Sequence, residues 1–190
     1  DGVRLMNWSL PDEAAATAAS VERLPGMLRF MAGHAGLPPP LPHVAQVFVQ
    51  GHPWGQGAHG LAVQTENMVD DFGVHADFLY LWDLLQAETL AQQWFGGAVS
   101  ACDARHAWLM AGLARQAALL DTGQQHGDDE LRLYPLAADQ ATLLTDPGPL
   151  QPAAAASPDL SGNGPGPARA AAVLHLLRAQ LGAAVYQRGL

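Results

Sequence analysis

The spacing of apolar and polar positions changes period several times along the chain, and each change marks an element. Val3 to Leu10 is a short apolar stretch that predicts a strand. Pro11, Asp12 and Glu13 then open an Ala-rich run, predicted helical through about Phe30, with its acidic residues where the helix dipole favours them. Four prolines between Gly36 and Pro42 exclude helix there, because each lacks an N–H and fixes φ. Val44 to Gln50 is β-branched and aromatic and predicts a buried strand, and Leu61 to Thr65 predicts a second. Between them, Gly51 to Gly60 is a glycine-rich loop that carries His52, Trp54 and His59.

The period becomes helical from Val74 to about Val99. Phe78, Leu81, Trp82, Leu85, Thr89 and Gln92 form one stripe, and Gly96-Gly97 closes the helix. A second helix is predicted from Arg105 to Leu120, with Trp108, Leu109, Leu113, Ala117 and Leu120 inside. Asp121 to Glu130 is polar and acidic and reads as a surface loop. Residues 151–167 hold Pro, Ala, Ser and Gly without an aromatic, which predicts a flexible loop. The last helix, about Ala168 to Leu181, places Val173, Leu174, Leu177 and Leu181 on its inner face. A single domain over residues 1–190, mainly helical with a few strands near its start, accounts for the pattern.

Charge and cysteine content narrow the function. The 190 residues carry 18 Asp and Glu against nine basic residues, all Arg, for a net charge of −9. Phosphate backbones and anionic lipid would repel such a surface, so neither nucleic acid nor membrane is expected as a partner. No apolar stretch approaches the roughly 18 residues of a membrane span. One cysteine, Cys102, excludes an internal disulfide and a Cys-based zinc cluster. The abrupt start at Asp1, without a leader, reads as a mature or excised part of a longer protein.

The stretch Glu88-Thr-Leu-Ala-Gln-Gln-Trp-Phe-Gly-Gly-Ala-Val-Ser100 resembles the zinc helix of gluzincin metallopeptidases of the aminopeptidase N type, whose pattern is HExxHxWFGxxVT. Other stretches follow in the family's order. Phe48 to Leu61 resembles the strand and loop of its GAMEN motif, and His106 to Ala114 its WLNEGFA helix. Tyr134-Pro-Leu136 sits where a His-Pro pair commonly lies, and Ala168 to Gly182 resembles the YxKGAxVLxMLxxxLG helix. The resemblance covers most of the chain and the catalytic domain only. It implies a thermolysin-like α+β fold, a small sheet packed on helices, and zinc as the parent family's cofactor.

Every position that would carry the chemistry departs from the family. Two His one turn apart and a later Glu bind zinc there, because i, i+4 spacing sets both rings on one helix face. The corresponding residues here are Glu88, Gln92 and, nineteen positions beyond Gln92, Ala111. The general-base position holds Thr89, whose hydroxyl cannot take a proton from water near neutral pH. The transition-state tyrosine position holds Pro167, and the GAMEN Glu aligns best with Gly57. Trp94, Phe95, Trp108, Leu109, Val173 and Leu177 keep the character of core residues. The resemblance therefore implies a catalytically inactive pseudo-peptidase, with no cofactor and a non-catalytic binding or structural role. A peptide or protein segment, or other domains of a longer chain, would be its partner, with Trp54, Gln56, Gly57 and His59 as cleft candidates.

Plainer and rival readings stand beside this one. Glu88 and Gln92 can be polar side chains hydrogen-bonded to each other or to water. An active zinc aminopeptidase would need unorthodox ligands, such as Glu88 with a His of the Gly51–Gly60 loop. His126 with Asp128, Asp129 and Glu130 could hold an adventitious metal, although a solvated acidic loop is the simpler account. Cys102 with His106 lacks an oriented base, and a free Cys usually behaves as a small buried hydrophobe. An all-helical chaperone, suggested by Asp71 to Leu85 and the acidic surface, does not explain Trp94-Phe95-Gly96.

Overall fold

The computed structural model describes residues 2–52, 55–69, 79–127 and 165–190. The protein is an α+β fold with a small mixed sheet of four strands in the order β1-β2-β4-β3. β1 (Arg4–Trp8), β2 (His43–Val49) and β4 (Leu61–Thr65) run parallel, with Met6 opposite Ala45 and Val47 opposite Val63. β3 (Gln56–Ala58) is antiparallel to β4, with Gly57 opposite Ala62. The four strands rule out an all-helical protein.

Period-two patterning explains the buried side of β2, where Val44, Gln46 and Phe48 are buried and their neighbours are not. The helix expected from Pro11 to about Phe30 is a short turn and two helices, α1 (Ala14–Ser20) and α2 (Leu24–Ala35). Pro25 causes the break, since proline fits the first turn of a new helix and not the middle of an old one. α2 supplies Leu24, Met27, Leu28 and Met31 to the main core.

α3 (Leu79–Ala91) is shorter than the helix expected to reach Val99, and residues 70–78 lie outside the described residues. Past Ala91 the chain turns tightly, with Gly96 N–H donating to Val99 O at 2.7 Å and Val99 N–H to Trp94 O at 2.8 Å. Most of the expected stripe faces inward: Trp82 and Leu85 pack on a small cluster with Phe48 and Met68, and Thr89 and Gln92 are buried, whereas Leu81 is exposed. A second face, of Leu84, Ala87, Leu90 and Ala91, enters the main core. Trp94 is buried, and its indole N–H donates to Leu37 O and Pro38 O, both at 3.1 Å, which pins the proline-rich segment.

α4 (Ala107–His126) continues through the residues expected to form an acidic loop, and Asp121 and Thr122 are buried. Residues 128–164 lie outside the described set, with them Asp128, Asp129, Glu130, Tyr134 and most of the 151–167 loop. α5 (Pro165–Leu181) begins before Ala168, so residues 165–167 are helix and not loop. α6 (Ala183–Gly189) follows after Gly182. The inner face of α5 is made of Ala168, Ala170, Ala171 and Leu174, while Val173, Leu177 and Leu181 are exposed. Small side chains face α4 because the two helices lie too close for large ones. A Cβ on Gly112 of α4 would meet Ala170 Cβ at 2.5 Å.

That contact gives a test. Overpacking of a close helix pair costs about 1–3 kcal/mol, against a gain of up to about 1 kcal/mol from replacing helical glycine by alanine. Gly112→Ala is expected to lower the thermal midpoint by several degrees, measured by circular dichroism.

Candidate functional site

A recess of about 230 Å³ opens between β3, the end of α3 and the start of α4. Gly57 and Ala58, Gln92 and Phe95, and Met110 and Ala111 form its walls, and among the described residues no charged side chain lines it. Sequence and fold meet most directly at Gly57. A Cβ there would lie 2.4 Å from Thr89 O and 2.7 Å from Gln92 Oε1, so only glycine lets the strand rest on the helix. The segment expected to be a glycine-rich loop is therefore partly strand, and its glycines serve close approach.

Side-chain amides of α3 and the turn after it fasten that strand. Gly57 N–H donates to Gln92 Oε1 at 2.5 Å, and Gly60 N–H to Gln93 Oε1 at 2.7 Å. Gln93 Nε2 donates to Leu61 O and to Thr89 O, each at 3.3 Å. Gln64 Nε2 donates to Thr89 Oγ1 at 2.7 Å, and that hydroxyl donates to Gln86 O at 2.9 Å. The Thr89 hydroxyl thus joins β4 to α3.

Glu88 is buried one turn before Gln92 and is ion-paired with Arg115, whose Nη1 lies 2.9 Å from Glu88 Oε2. Arg115 stands one turn beyond Ala111 on α4. The pair therefore joins the two helices beside the recess. Sequence reasoning missed Arg115, although it is the only charged residue between Arg105 and Asp121, in an otherwise apolar helix. A charge surrounded by buried Leu and Ala positions needs a partner, and that was the available signal.

The structure brings Gln92, Ala111 and Gly57 to one recess and places Glu88 and Thr89 in the helix behind it. Pro167 is buried in the first turn of α5 and does not line the recess. Gln56 and His59 are exposed on the β3–β4 hairpin, and Trp54 lies outside the described residues. Cys102 is exposed, contrary to the buried position expected of it, and so is His106. Among the described residues, no group of three His, Cys, Asp or Glu is placed to hold a metal ion. Among them, too, no helix is long and apolar enough to cross a membrane.

A second polar cluster sits at the opposite end of α3. Buried Asp83 accepts Arg23 Nη2 at 2.8 Å through Oδ1, and His126 Nε2 lies 2.5 Å from Oδ2. His126, considered above as a metal ligand, is thus a partner of Asp83. Nearby Asp121 accepts Gln125 Nε2 at 2.6 Å. Burial pushes the Asp121 carboxyl up to about 6, the Gln125 hydrogen bond opposes this, and the charge of Asp83 adds to it.

The chain matches no family model and no curated protein. The recess must therefore be understood from its own residues.

Two outcomes are expected. Arg115→Met strands a buried carboxylate and is expected to cost about 3–5 kcal/mol in urea denaturation, with much of it recovered in Glu88→Gln/Arg115→Met. For Asp121, the folded state binds a proton more tightly than the unfolded state, so its carboxylate destabilises the fold above about pH 6. That penalty is relieved as pH falls toward the unfolded value of about 4. Asp121→Asn should raise the thermal midpoint at pH 7.5 and raise it little or not at all at pH 4.

Proposed function

We propose that the chain is a non-catalytic relative of the aminopeptidase N type of gluzincin metallopeptidases, with a thermolysin-like arrangement of sheet and helices. Its recess receives an uncharged part of a peptide or protein segment. The observation that carries this reading is the Arg115–Glu88 ion pair, 2.9 Å long and beside the recess. In the proposed relationship, Glu88, Gln92 and Ala111 stand at the metal-ligand positions, and none of them fits zinc. Glu88 is committed to a guanidinium, Gln92 offers a neutral amide already bound to Gly57 N–H, and Ala111 has no donor atom. The positive charge that a metal would supply is supplied by Arg115.

The remaining chemistry points the same way. Thr89 is buried and bonded to Gln64 and Gln86, and a threonine hydroxyl cannot take a proton from water near neutral pH. An apolar recess with a few directed polar groups and no charge favours binding over bond cleavage.

Zinc analysis tests both parts of the reading. After incubation with excess zinc and dialysis, the natural chain is expected to hold well below one zinc per molecule. The variant Glu88→His/Gln92→His/Ala111→Glu/Arg115→Ala should hold one, because the backbone would present the ligands correctly. Stoichiometric zinc in the natural chain would overturn the inactive reading. A folded variant that takes up no zinc would overturn the relationship. A peptide library that gives no binding to the folded chain would leave a structural role in place of segment recognition.

A further inference from the structure

On the far side of Phe95 and Met110 lies a second groove, of about 320 Å³, between α4 and the α5–α6 pair. Leu109 and Leu113 form one wall, and Leu177, Leu181 and Val185 the other. The second wall is exposed, each of its three residues by 43–47%. Leu174, Leu177, Leu181 and Val185 follow at spacings of three, four and four, a ridge that complements the ridges of another helix. Apolar rows of this kind, rimmed by polar residues, mark interaction surfaces.

Charge distinguishes the possible occupants. Among the described residues that line this groove, none is an Asp or Glu. Arg178 lies within the Leu174–Leu181 ridge and acts on the charge states of both His34 and Tyr186, which places it at the groove's edge. Arg188 is exposed on α6 beside Gly189 and Leu190, which line the groove. Among the described residues, neither arginine is in an ion pair. Among the described residues, the groove's lining is thus apolar and without acid, and two arginines stand beside it.

We propose that this groove docks an amphipathic helix of a partner protein whose apolar stripe is flanked by Asp and Glu. A second copy of the chain is disfavoured, because pairing through the same groove would bring no Asp or Glu of the described lining to Arg178 and Arg188. An anionic lipid surface is disfavoured by the net charge of −9.

The test uses two labelled synthetic peptides with the same leucine stripe at helical spacing, one flanked by Glu and one by Lys. Fluorescence anisotropy with the full chain should show saturable binding of the Glu peptide, at least about tenfold tighter than the Lys peptide and weakened by salt. Leu177→Asp/Leu181→Asp should abolish that binding, and Arg178→Glu/Arg188→Glu should weaken it about tenfold or more. Both pairs are at the surface, and unchanged circular dichroism would show that they fold. No saturable binding of the Glu peptide, equal binding of both peptides, or indifference to both double variants would overturn the proposal. So would a sedimenting dimer that the Glu peptide does not dissociate, or phosphatidylserine vesicles that compete the peptide away.

Discussion

The rest of the structure depends on how α3 is fastened to the sheet. A helix that lies across a small sheet normally offers it an apolar stripe, but α3 presents Gln86, Thr89, Gln92 and Gln93 on the sheet side and in the turn that follows. Gln92 and Gln93 bond to backbone atoms at Gly57, Gly60 and Leu61, Thr89 accepts from the Gln64 side chain of β4, and Gln86 reaches Ser20 O at the end of α1. A buried amide is costly unless it is hydrogen-bonded, and the bonds of Gln92 and Gln93 to Gly57, Gly60 and Leu61 select one register. The hairpin therefore cannot slide along α3, as it could over an oily surface. The recess inherits its shape from this contact, because its wall is the same Gly57–Ala58 segment.

The other side of α3 is joined by different physics. Leu84, Ala87, Leu90 and Ala91 pack against α2 and α4 in the main core, and alanines bring the helices close. Burial of each large side chain there contributes roughly 1.5–3 kcal/mol. Charge enters at only two depths along the helix, at Asp83 and at Glu88, and each meets an arginine from another element. Arg23 comes from the linker between α1 and α2, and Arg115 from α4. The two ion pairs therefore fix how α3 sits against its neighbours where apolar packing alone would tolerate adjustment.

The legible parts of this fold are those with a local cause. Leu61–Thr65 is a strand because an alternating β-branched run is bounded by Gly60 and the Glu66 turn. Pro25 was just as visible as a helix start, yet the run of alanines before it hid the break. The β3 strand was obscured because its glycines carry no strand propensity; their value is the missing Cβ against Thr89. Asp121 and Thr122 read as loop because they are polar, yet α4 continues through them and buries both. On α5, large apolar residues suggested the inner face, but the separation from α4 selects alanine instead. For the site, Gln92, Gly57 and Ala111 could be placed together from the resemblance, while Arg115 carried a signal that apolar periodicity overlooks.

The parallel pairing of β1 with β2 also governs the order in which the chain can assemble. Residue 4 lies opposite residue 43, and the intervening chain contains α1, α2 and the proline-rich segment. By contrast, β3 and β4 are separated only by His59 and Gly60. The short hairpin can close on a microsecond timescale, of the order of ~1–10 μs. β1 must wait until the helices between it and its neighbour have condensed, because long-range closure loses entropy before any contact rewards it. β1 is thus among the last of the four strands to find its place, at the edge of a sheet whose far side is already built.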